Sequence, residues 1–139
     1  MIEDADMIYG VGVDLVQIGR MEKVLKRWGG RFIERVFTGE EIVFCKKRTF
    51  PTACFAIRFA AKEAFSKAIG LGMRGGIRWR DIEVFHYKGG KPGLKLLGRA
   101  SDICREKKIT GCHLSLSDEG DYGVAMVVLE TRDETGQSV

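Results

Sequence analysis

Between residues 8 and 18 (Ile-Tyr-Gly-Val-Gly-Val-Asp-Leu-Val-Gln-Ile) apolar side chains alternate with small or polar ones, the period-two pattern of a strand. Its glycines let another backbone or a ligand come close. From Gly19 to Trp28 the period lengthens. Met21, Val24, Leu25 and Trp28 form an apolar stripe while Arg20, Lys23 and Arg27 fall on another face, so an amphipathic helix with a basic side is predicted. Thr38-Gly39-Glu40-Glu41 has the spacing of a capping box and predicts a short helix from Thr38 to about Lys47. Pro51 suits a first helical turn, and the alanine- and phenylalanine-rich run after it predicts a long helix to Ile69, stopped by Gly70.

Beyond a glycine-rich loop at 70–76, alternation returns at Asp81 to Tyr87, and Gly89 to Gly93 turns the chain into a short strand at Leu94 to Leu96. Residues 98–108 read as a helix. Cys112 to Ser117 and Tyr122 to Glu130 read as a second hairpin turning at Asp118 to Asp121, and the polar tail from Thr131 reads as frayed. The order strand, helices, hairpin, helix, hairpin implies an α+β fold with a largely antiparallel sheet against a long central helix. With 139 residues, 45% of them hydrophobic and 30% charged, the chain fits one domain, 1–139, with a core at about 8–130.

Composition narrows the partners only a little. A net charge of +4 and a pI near 8.9 favour acidic partners, phosphorylated ligands or nucleic acid among them. Cys45, Cys54, Cys104 and Cys112 show neither zinc spacing nor a disulfide framework, so reduced thiols are expected. No run is apolar and long enough to span a bilayer, and the acidic start (Glu3, Asp4, Asp6) is wrong for a targeting peptide. A soluble cytoplasmic protein is the expectation.

Candidate chemistry centres on two acids in apolar surroundings, Asp14 in the first strand and Glu63 in the long helix. Such acids are costly to bury without a cation. Glu63 and Lys67 stand at i,i+4, a spacing that also fits an ordinary surface pair, and Asp14 also fits a strand end satisfied by backbone amides or by Arg20. Together, two carboxylates with water and phosphate could hold Mg²⁺, with Lys62 and Lys67 near the phosphates. Gly70-Leu71-Gly72-Met73-Arg74-Gly75 matches a dinucleotide fingerprint in letters but follows a helix, which removes the context that gives the motif its meaning. His113, Ser115 and Ser117 share one strand face, either a solvent-facing stripe or a ligand-lining one.

In order along the chain, Gly12-Val13-Asp14-Leu15-Val16-Gln17-Ile18-Gly19-Arg20, Arg58-Phe59-Ala60-Ala61-Lys62-Glu63-Ala64-Phe65-Ser66-Lys67-Ala68-Ile69-Gly70, Asp81-Ile82-Glu83-Val84, Gly90-Lys91-Pro92 and His113-Leu114-Ser115-Leu116-Ser117 resemble the holo-[acyl-carrier-protein] synthase family, the small bacterial type of 4'-phosphopantetheinyl transferase. The resemblance covers roughly residues 8–130. It implies transfer of the phosphopantetheine arm of coenzyme A to a serine of apo acyl carrier protein, releasing adenosine 3',5'-bisphosphate, in fatty acid biosynthesis. It also implies Mg²⁺ dependence and a homotrimer with active sites between subunits. By position Asp14 and Glu63 become metal ligands and, with Lys67, catalytic residues. Lys62 and Lys67 become contacts to coenzyme A phosphates, His113 and Ser115 part of its pocket from a neighbouring subunit, and Arg20 and Arg27 the dock for the acidic carrier. Asp118 stands where some members carry histidine, so that role does not transfer, and Met1 to Met7 have no counterpart. The competing class is a non-enzymatic basic module binding nucleic acid or an acidic protein, which explains the basic helix and leaves Asp14 and Glu63 without purpose.

Overall fold

The computed structural model describes residues 5–133. Strand β1 (Ala5–Gln17) runs into helix α1 (Ile18–Trp28), and α2 (Gly30–Val36), α3 (Gly39–Lys46) and α4 (Pro51–Ile69) follow. A single 3-10 turn (Trp79–Asp81) leads into the hairpin β2 (Ile82–His86) and β3 (Pro92–Leu96), then α5 (Gly98–Glu106) and a second hairpin, β4 (Ile109–Glu119) and β5 (Tyr122–Asp133). All pairings are antiparallel. One sheet has the order β1-β5-β4, and the other is β2-β3 alone. The α+β architecture with α4 at its centre is the one the pattern predicts.

What presses α4 onto β1 is the absence of side chains between them. A Cβ on Gly12 would lie 1.8 Å from the Ala64 carbonyl oxygen, and one on Gly10 would lie 2.0 Å from that of Ala68. The glycines of the first strand therefore admit another backbone. Gly10, Gly12 and Asp14 share the α4-facing side by strand alternation, and Val11, Val13 and Leu15 face the other way. The alanines of α4 meet Ile82 and Val84 of β2 and Ala125, Val127 and Leu129 of β5 in one core, while Met21, Phe37, Phe55 and Cys45 build a second one under α1 to α3. Gly70 closes α4 in the left-handed conformation at φ 86°, as its position predicts.

Three expectations need correction. The segment from Thr131 is not frayed at its start. β5 continues to Asp133, and Ala5, Asp6 and Met7 of the leading extension pair with Asp133, Arg132 and Thr131. Residues 1–4 and 134–139 lie outside the described residues. Helix α2 has no counterpart among the predicted elements, which leave 29–37 unassigned, and Gly29 at φ 55° is the hinge between two helices. Finally, Cys45 and Cys54 are joined as a disulfide between α3 and α4, while Cys104 and Cys112 stay free. The turn between these helices brings the two Cα atoms to 5.4 Å, a proximity that a separation of nine residues does not announce. Burial raises the thiols of Cys104 and Cys112 to about 11 and about 12, Cys104 adding to the shift at Cys112, which keeps both inert.

Candidate active site

Asp14 and Lys67 meet where β1 crosses the last turn of α4. The Lys67 Nζ donates to Asp14 Oδ1 at 3.0 Å and to the Val13 carbonyl at 3.0 Å. Glu63 lies one helical turn before Lys67. Its carboxyl is raised above the usual glutamate range, first by burial and then by the negative charge of Asp14, with Lys67 pulling the other way. The ammonium is bonded to Asp14 while Glu63 feels the charge of both, and the countercharge Glu63 lacks is what a divalent cation would supply. The donors are hard oxygens, and among the described residues no third His, Cys, Asp or Glu joins them. That set fits Mg²⁺, which keeps several waters and takes its remaining ligands from phosphate.

Lys62, expected at the coenzyme A phosphates, is corrected by its surroundings. Its side chain is 0% exposed, and Nζ donates to Glu41 Oε1 at 2.8 Å, to the Trp79 carbonyl at 3.1 Å and to the Ile82 carbonyl. Burial holds its ammonium below the ordinary lysine range, with Glu41 opposing. Glu41 itself completes the capping box with Thr38 and also accepts from the Val84 amide at 2.9 Å. Lys62 is therefore a tie between α4, α3 and β2. The sequence reading saw the cap and missed the ion pair because Glu41 and Lys62 are 21 residues apart.

His113 and Ser115 stand apart from Asp14 in this chain. They project from β4 on the sheet face away from α4, since Leu114 between them is buried under the helix. β5 separates β4 from β1, so two strand spacings, roughly 10 Å, also intervene. His113 Nε2 lies 2.5 Å from Glu130 Oε1 on neighbouring β5. The cross-strand rows on that face run Val11, Val128, His113 and Val13, Met126, Ser115, apolar at β1 and polar at β4. Several of these side chains are open to solvent, Val11 at 51% and Val13 at 48% among them.

Arg20 and Arg27 are exposed on α1, which begins directly where β1 ends, and Arg27 stacks over the Trp28 ring at 5.1 Å. The loop after α4 is a run of turns in which Arg74 Nε donates to the Leu71 carbonyl at 2.9 Å, and the dinucleotide motif indeed follows a helix. A basic cluster the motif reading did not assign, Arg48, Arg58 and His86 around Phe44, lies on the far flank of α4. Its signal was present: Arg58 is a cation in the alanine- and phenylalanine-rich run of the long helix.

Residues 10–127 match the family described as the 4'-phosphopantetheinyl transferase superfamily. A holo-[acyl-carrier-protein] synthase of Geobacter sp. (strain M21) is 48% identical over 124 residues, covering 89% of this chain and 99% of that one. Its counterpart in Syntrophus aciditrophicus (strain SB) is 45% identical over 124 residues, with 89% and 97% covered. Among solved structures, the holo-[acyl-carrier-protein] synthase of Neisseria meningitidis superposes with a TM-score of 0.85 at 40% identity, covering 90% of this chain and 100% of that one. The Helicobacter pylori synthase, solved in complex with coenzyme A, gives 0.76 at 31% identity, with 86% and 98% covered.

Proposed function

The chain belongs to the 4'-phosphopantetheinyl transferase superfamily, and we propose, from that membership and from its holo-[acyl-carrier-protein] synthase relatives, the reaction and site roles that follow. The protein is an enzyme that moves the 4'-phosphopantetheine group from coenzyme A to a serine of apo acyl carrier protein, giving holo carrier protein and adenosine 3',5'-bisphosphate. The whole chain serves this as one domain. The observation that carries the site assignment is the meeting of Asp14, Glu63 and Lys67 at the crossing of β1 and α4.

Asp14 and Glu63 would hold Mg²⁺, which when bound supplies positive charge against the diphosphate oxygens that become the leaving bisphosphate. Lys67, anchored by Asp14 and the Val13 carbonyl, is half exposed and offers its remaining N–H to an oxygen of the phosphate whose phosphorus is attacked. The carrier serine must lose its proton, with Glu63 or a water at the site as the acceptor. Arg20 and Arg27, exposed on the helix that follows the Asp14 strand, face outward to meet an acidic carrier surface.

His113 and Ser115 can serve this site only from another copy, because the sheet and one strand stand between them and Asp14 within the chain. The apolar face of Val11, Val13, Leu15 and Met126 supports a homo-oligomer, a trimer in our reading, that covers it. Among the described residues no helix is long and apolar enough to cross a membrane, and we place the enzyme in the cytoplasm. The direct experiment mixes the protein with coenzyme A, Mg²⁺ and apo carrier proteins and follows carrier mass. Addition of the phosphopantetheine arm is expected, with Glu63→Gln and Asp14→Asn folded but inactive. No mass gain with several carriers would refute the reaction, and near-wild-type turnover of either variant at limiting Mg²⁺ would refute the metal assignment.

A further inference from the structure

The two sulfurs of the Cys45–Cys54 bridge have different surroundings. Cys45, at the end of α3, is fully buried in the second core. Cys54, in the first turn of α4, lines an open pocket of about 640 Å³ with Lys47, Arg48, Arg58, His86 and Asp118 around it. Arg58 stands one turn further along the helix, 3% exposed, and its Nη1 donates to Cys54 Sγ at 3.2 Å. The Phe44 ring, 4.3 Å from the guanidinium carbon, holds the group in place, and its Nε finds no partner among the described residues. Burial brings Arg58 down to about 10, with Glu41 opposing and Arg48 adding, so it stays cationic at neutral pH. A disulfide sulfur is a poor acceptor for a buried guanidinium, and a thiolate is a strong one. The pairing therefore suits the opened bridge better than the closed one.

We infer that Cys54 Sγ is a thiol–disulfide exchange site for small anionic disulfides and thiols, with Cys45 as the resolving thiol. In the oxidising direction the Cys54 thiolate attacks one sulfur of the external disulfide, whose S–S bond breaks and releases a first thiol. Cys45 then gives up its proton, attacks Cys54 Sγ and expels the second thiol. The chain loses two electrons, and the external disulfide is reduced to two thiols. Two external thiols drive the reverse, the first entering at Cys54 because Cys45 has no opening to solvent. The groups that face Cys54 are Lys47 and Arg48 from the segment after α3, Arg58 from α4, His86 from β2 and Asp118 from β4, an excess of cations that favours the thiolate and an anionic reagent. Cys104 and Cys112 lack such a neighbour, and burial alone pushes them up. A bridge in a cytoplasmic chain is ordinarily of this reversible kind. Nothing in the exchange depends on the transfer reaction proposed above.

The test takes the full chain, reduced with excess dithiol and then freed of it. Alkylation by iodoacetamide at a series of pH values, mapped by peptide mass spectrometry, is expected to reach Cys54 first, with a thiolate midpoint below about 7.5 against about 8.5 for an unperturbed cysteine. Arg58→Met should raise that midpoint and slow labelling at neutral pH by about tenfold, and Arg58→Lys should restore most of the rate. Oxidised glutathione is expected to close the bridge in the wild type and to leave one glutathione on Cys54 in Cys45→Ser. Cys54→Ser should carry none on Cys45 over the same time. Cystamine, a cationic disulfide, should react severalfold more slowly than oxidised glutathione at low salt, and the gap should narrow as salt is raised. The inference is overturned by Cys45 reacting as fast as Cys54, by a Cys54 midpoint that Arg58→Met leaves in place, by failure of oxidised glutathione to close the bridge, or by equal rates for the two disulfides at low salt. The two serine variants keep Arg58, so their comparison decides the question even if Arg58→Met does not fold.

Discussion

Replacing Lys62 by Met separates a structural lysine from a substrate-binding one. The ammonium makes three hydrogen bonds, to Glu41 and to the carbonyls of Trp79 and Ile82, and both charged side chains are fully buried. Removing it leaves the Glu41 carboxylate without its cation in the interior, a loss of about 3–5 kcal/mol. For 139 residues at about 2.1 cal/mol/K each, the unfolding entropy near 60 °C is about 290 cal/mol/K, so the midpoint should fall by about 10–17 °C. Urea unfolding at fixed protein concentration, which holds any oligomer equilibrium constant, measures the same quantity. Glu41→Gln alone should also destabilise, by stranding the lysine. The double variant should lose less than the sum of the singles by about 2 kcal/mol or more, the coupling expected of neighbours in one network. If Lys62→Met unfolds within about 1 kcal/mol of wild type while its KM for coenzyme A rises sharply, the interior tie is wrong and the phosphate contact is restored.

Gly12→Ala drives a Cβ into the Ala64 backbone, which no rotamer change relieves. It should cost about 3 kcal/mol or more and lower carrier modification, whereas Gly19→Ala, with nothing within 4 Å, should unfold like wild type in the same urea series. In the metal-free protein the Glu63 carboxyl, followed by carbon-13 NMR, should titrate above an ordinary glutamate. Asp14→Asn should lower it by removing a like charge, Lys67→Met should raise it by removing an opposite one, and the reverse order would refute this arrangement of charges. Replacing Cys45 and Cys54 by Ser opens a nine-residue link and should lose about 2.6 kcal/mol under oxidising conditions, a loss that shrinks once both proteins are treated with excess dithiol. Arg20→Glu should raise the KM for the carrier in a salt-dependent way and leave that for coenzyme A unchanged. Equal losses for both would remove α1 as the dock.

Local chemistry was sufficient wherever a signal sits within a few residues. The capping box at Thr38, the Pro51 start and Gly70 stop of α4, and the alternation of β2, β4 and β5 are all local, and they made the α+β order legible. The acids Asp14 and Glu63 were legible for the same reason: a carboxylate among glycines, valines and alanines stands out against its own neighbours. Lys62 and Lys67, five residues apart in one helix, could not be told apart that way. Only the docking of α4 decided them, turning Lys62 inward to Glu41 and Lys67 outward to Asp14. The Cys45–Cys54 bridge, the Phe44 cluster of Arg48, Arg58 and His86, and the placing of His113 behind the sheet from Asp14 likewise depend on which elements pack together. Periodicity reports which face of an element is buried. What that face touches is a property of the packed chain, because partners such as Glu41 and Lys62 meet only when distant segments close on one another.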